Sequence, residues 1–113
     1  MQYLLQIFSN DGGTYERMSQ DEQQAISAEY MAISQAAGIT GGAQLQPTST
    51  ATTVRVQDGR TLTTDGPFPE TKEALGGYYL FEAADLDAAI ELAARIPAAR
   101  LGGAVEVRPV VER

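Results

Sequence analysis

A chain of 113 residues, 43% of them hydrophobic, has the length of one domain and enough apolar side chains for a true core. Eight basic residues stand against fifteen acidic ones, a net charge of −7 at pH 7, which argues against nucleic acid and anionic membranes as partners. Cysteine and histidine are both absent, which excludes disulfides, thiol nucleophiles, thiolate zinc sites and the usual neutral-pH general base; neither a metal nor a cofactor is expected.

The pattern over residues 3–8 predicts a strand that begins almost at the first residue and is broken by Asn10-Asp11-Gly12-Gly13. Ser19-Gln20-Asp21-Glu22 fits a capping box, and Ile26, Tyr30, Ile33 and Ala37 then form one helical stripe. Gly38 reads as the stop of that helix. A weaker strand is expected within 41–47, with Ala43 and Leu45 facing inward. Residues 53–56 alternate cleanly, Asp58-Gly59 predicts a type I′ hairpin, and 60–64 form the returning strand. A strand over 78–81 follows. Asp85 caps a second helix carrying Leu86, Ala89, Ile90 and Ala93 on one face, and 104–111 form the last strand. No basic leader and no apolar run of ~20 residues is visible, so a cytoplasmic protein is expected.

Strand, helix, hairpin, strand, helix, strand is an α+β, ferredoxin-like plan with an extra β-hairpin, in one domain over 1–113. Both helices would cover one sheet face and leave the other polar. The strands are two-sided instead: Tyr3, Leu5 and Ile7 oppose Leu4 and Phe8, and Tyr78 and Leu80 oppose Tyr79 and Phe81. An uncovered aromatic face marks an interaction surface, and an isologous homodimer is the simplest way to bury it.

Residues 63–79 are dense in special residues. Asp65-Gly66-Pro67 has the chemistry of an Asx turn, with Asp65 alternatively a carboxylate at a pocket mouth serving as acid/base or ligand clamp. Phe68 suits a plug against the core. Glu70, Lys72 and Glu73 read either as a solvated turn with local ion pairs or as an anion-binding group centred on Lys72. Gly76-Gly77 permit a tight entry into the following strand. Glu106 and Arg108 share one strand face opposite Val105 and Val107, while Tyr3, Tyr78 and Tyr79 suit core or interface positions.

Taken together, Asp65-Gly66-Pro67-Phe68, Glu70, Lys72-Glu73 and Leu75-Gly76-Gly77-Tyr78 closely resemble the DGPF-domain group of the YCII-related family. Gly42, Leu45-Gln46-Pro47, Asp85-Leu86-Asp87-Ala88-Ala89, Ala94-Arg95-Ile96-Pro97 and Val107-Arg108-Pro109-Val110 extend the resemblance nearly end to end. It implies a bacterial subunit of the dimeric α+β barrel superfamily and a regulatory link to an extracytoplasmic-function sigma factor. It also implies a site aspartate, matched by Asp65. The histidine that meets this aspartate in other members has no counterpart here.

Three readings follow: an enzyme with Asp65 as acid/base and Lys72 or Arg108 holding an anion, a dimer that binds a small molecule without turnover, and a purely structural dimer. Missing histidine and cysteine favour the second over the first. The concentration of special residues around Asp65 disfavours the third. Asp65 is the expected catalytic residue if there is one, with Lys72, Arg108 and Tyr78 as ligand-binding candidates.

Overall fold

Tyr3, Leu5 and Ile7 alternate with Gln2, Leu4 and Gln6, and this period of two builds β1 (Gln2–Asn10) inside the sheet. The computed structural model describes residues 1–10, 15–66 and 73–113. The other elements are α1 (Gln20–Ser34), β2 (Ile39–Gln44), β3 (Thr52–Gln57), β4 (Arg60–Asp65), β5 (Glu73–Glu82), α2 (Leu86–Ala94) and β6 (Ala104–Pro109). Four strands form an antiparallel sheet in the order β2-β5-β1-β6, and β3 and β4 form a separate hairpin. This is the ferredoxin-like order with a hairpin inserted between β2 and β5, as the sequence implies.

The capping box is present at α1, with the Ser19 hydroxyl accepting from the Glu22 amide and the Glu22 carboxylate accepting from the Ser19 amide, each at 3.2 Å. Ile26 and Ile33 are buried and Tyr30 half-buried, whereas Ala37 lies past the helix and is exposed. Gly38 is not the helix stop. The cap is Gln35, and Gly38, at φ +93°, makes the turn into β2, where a Cβ would lie 2.7 Å from the Glu82 carbonyl oxygen.

Asp85 caps α2 by accepting from the Ala88 amide at 2.9 Å. The buried face of α2 is Ala89, Leu92 and Ala93, continued by Ile96, not the face containing Leu86 and Ile90. Those two are each 49% exposed. Ala89 is small enough to seat the helix directly on the sheet, and the i, i+3, i+4, i+7 stripe that starts there sets the rotation. Ala43 in β2 and Leu45 just past its end are exposed rather than inward, and Ile39 packs on the core instead. An extra residue at Thr40 shifts the alternation of β2 against β5.

Both helices cover the sheet face made by Tyr3, Leu5, Ile7, Tyr79 and Phe81, which joins Ile33, Ala89, Leu92 and Ile96 in one buried cluster. The Tyr79 hydroxyl donates to the Tyr30 carbonyl at 3.0 Å and ties β5 to α1. Burial holds the phenols of Tyr30 and Tyr79 above the ordinary tyrosine range. A raised folded pKa supplies stability that is complete below the unfolded value of about 10 and is lost as pH climbs through the folded value. Urea midpoints are therefore expected to hold up to about pH 9.5 and to fall above about pH 10. The alkaline fall should be shallower in Tyr79→Phe, and an identical fall in that variant would dismiss Tyr79 as a contributor.

The hairpin turns at Asp58 and Gly59, both with positive φ (53° and 75°), the type I′ geometry expected from that pair. Its foot is closed by the Gly66 amide donating to the Ala51 carbonyl at 2.8 Å and by the Thr53 hydroxyl donating to the Gly66 carbonyl at 2.7 Å. Above that foot β3 and β4 stand away from the body, with Val54 60% and Val56 71% exposed. The radius of gyration is accordingly 15.9 Å, against about 13 Å for a compact chain of this length. Among the described residues, no helix is long and apolar enough to cross a membrane.

Candidate functional site

Covering one sheet face with both helices leaves the other face open, and the strand register fixes what it presents. Gly41, Leu80, Leu4 and Arg108 form one cross-strand row, and Ala43, Tyr78, Gln6 and Glu106 form the next. Leu75, Phe8 and Ala104 make a third. Leu4, Phe8, Leu75, Tyr78 and Leu80 are each only partly buried, so the face is an apolar floor still in contact with water. Gly76 has no partner in the pairing of β5 with β1, and this bulge lets Leu75 and Tyr78 face the same side although three positions apart. Gly77 lies against β2, where a Cβ would stand 2.8 Å from the Ala43 carbonyl oxygen.

A line of polar groups crosses this floor from β5 to the β6 edge. The Arg108 guanidinium is paired with the Glu106 carboxylate two positions away, both on the open face. An ion pair this exposed contributes about 0–1 kcal/mol to stability, so holding the fold does not require it. Gln6 lies between Tyr78 and Glu106 in its row. At ~4.8 Å between neighbouring strands, Tyr78 and Glu106 are about 10 Å apart across the sheet. That spacing spans one small ring.

Tyr78 and Arg108 thus share one surface. Asp65 ends β4, paired with Thr52 on the hairpin, and belongs to a different sheet. It is exposed, as are Val54 and Val56 on the same hairpin face. Gly66 takes positive φ (102°) in the turn after it. Glu73 opens β5, while Pro67, Phe68, Glu70 and Lys72 lie outside the described residues. Sequence reasoning missed Gln6 as a site residue, although its place between two apolar open-face positions of a two-sided strand was a usable signal. It also missed a shallow groove of about 280 Å³ between the end of α1 and α2, floored by Phe81 and Leu92 and edged by Glu91 and Arg95.

The YCII-related domain matches residues 1–113. The chain belongs to the YCII-related family. An uncharacterised protein of Rhizobium meliloti (strain 1021) is 38% identical over 106 residues, covering 89% of this chain and 86% of its relative. A solved structure of similar fold is 5-chloro-2-hydroxyhydroquinone dehydrochlorinase from Burkholderia phenoliruptrix AC1100, in complex with 2,5-dihydroxybenzoquinone. It aligns with a TM-score of 0.55 at 18% identity, covering 100% of this chain and 96% of the other. At that identity the likeness is one of fold.

Proposed function

We propose that this YCII-related protein is a homodimer that holds a small organic ligand against the open sheet face. The observation that carries the reading is the composition of that face, an apolar floor crossed by Tyr78, Gln6 and Glu106 with Arg108 beside them at the β6 edge. Apolar walls with a few convergent polar groups are the usual make-up of a small-molecule site. A second subunit laid over the floor would enclose it and strengthen every charge contact within. The ligand class that fits is a flat ring bearing an acidic hydroxyl or carboxylate. Its anion would compete with Glu106 for Arg108, and its ring would lie on Leu4, Phe8 and Leu80. Lys72 is proposed as a further cation for that anion.

Turnover with Asp65 as acid or base is the alternative. The position of Asp65 on a different sheet from Tyr78 and Arg108 favours binding over catalysis. A sigma-factor partner rests on the family resemblance alone, and it would meet the acidic surface rather than this floor.

The probe for the proposal is 2,5-dihydroxybenzoquinone, the ring bound by the structural neighbour, titrated calorimetrically at neutral pH. Saturable binding at one ligand per chain is expected. Arg108→Ala should weaken it about tenfold, the worth of one charge-assisted hydrogen bond, and Tyr78→Phe by less. Asp65→Asn should leave affinity unchanged. Full affinity in Arg108→Ala would remove the ligand from this face, and no binding by the parent protein would refute the ligand class.

A further inference from the structure

We propose that the β3–β4 hairpin is an exchanged arm, lying across the second copy of the chain rather than on its own body. The inference rests on the homodimer of the preceding section and adds to it the element that clasps the two subunits.

Four observations support it. An isolated two-stranded hairpin is marginal in water, yet this one stands off the body with Val54 and Val56 on one exposed face beside Thr61 and Thr63. Six paired residues per strand give it a reach of about 20 Å, about the width of a four-stranded sheet. Its foot joins the body where the Leu45 amide donates to the Gly76 carbonyl at 2.9 Å, the end of the sheet that presents Leu75 and Phe8 on the open face. The arm is therefore continuous with the proposed interface.

Charge gives the fourth. Residues 52–65 carry Arg55 and Arg60 against Asp58 and Asp65, a net charge of zero, so the remaining residues carry the whole −7. Two such bodies repel, whereas an arm of zero net charge that carries Val54 and Val56 meets the partner without that cost. The open sheet face alone, four strands by about six residues, has a flat footprint of roughly 400 Å². A stable interface takes about 800 Å² of accessible surface per partner, and the arm supplies additional area.

The absence of cysteine makes a single-site label straightforward. Gln57→Cys, on the hairpin face opposite Val54 and Val56, is labelled with a nitroxide and mixed with an equal amount of unlabelled, 15N-enriched chain. Paramagnetic broadening of one contiguous patch on the enriched chain, reversed by ascorbate, is expected. A dimeric mass without such broadening would overturn the arm and leave the dimer standing. A monomeric mass would overturn both. In parallel, Val54→Ser/Val56→Ser should raise the dimer dissociation constant at least tenfold with an unchanged far-ultraviolet spectrum, and an unchanged constant would count against the arm.

Discussion

Replacing Leu5 by alanine is expected to lower stability by about 3–4 kcal/mol and the melting temperature by roughly 15 °C. Leu5 is fully buried inside the sheet, paired with Tyr79 on one side and Val107 on the other. Those neighbours and the helices above are held by their own packing, so the space vacated would collapse only in part and the cavity cost would add to the lost burial. Leu4, its neighbour in sequence, points to the open face and supplies the internal control. Leu4→Ala should cost less than about 1 kcal/mol in dilute solution, where no partner covers it. Thermal melts at low protein concentration decide the matter: equal losses in the two variants would contradict the assignment of faces in β1.

The largest effect on assembly is expected from Leu80→Lys. Leu80 pairs with Leu4 on one side and Gly41 on the other, within the floor of the open face. If two such floors pack together, an ammonium group at this position has no carboxylate directly across a strand and must be desolvated on association. Light scattering at micromolar concentration should show the parent at twice the 12.1 kDa chain mass and the variant at the chain mass itself. Because Leu80 is outside the core of the subunit, far-ultraviolet spectra should coincide. A variant that keeps the doubled mass would move the interface elsewhere on the molecule.

Local signals in the sequence carried the fold a long way because they act over a few residues. Ser19 and Glu22 satisfy each other across one turn, Asp85 accepts from the Ala88 amide at the start of α2, and Asp58-Gly59 need only their own backbone angles. The rotation of α2 was less legible. Leu86 and Ile90 look like core from their hydrophobicity, and only contact with the sheet reveals that small Ala89 sets the buried stripe. Gly38 likewise serves the approach of β2 to Glu82, a contact 44 positions away in the chain. The site was legible in part. Alternation already put Glu106 and Arg108 opposite Val105 and Val107, and Tyr78 opposite Tyr79. That Tyr78, Gln6 and Glu106 line up in one row depends on strand order and register, which no local pattern encodes.

The unpaired glycine in β5 has a consequence beyond its own turn. Gly76 divides the strand into two runs of opposite phase, so positions before it and after it obey different parity rules for which surface they reach. Composition is nearly indifferent to that residue, but phase is not. Were Gly76 drawn into the ladder as a paired residue, Leu75 would move to the helix-covered side while Tyr78 stayed where it is. The bulge at a single glycine therefore determines which side chains each surface displays, and this is the position in β5 at which a one-residue gap in an alignment leaves every neighbour on its own face.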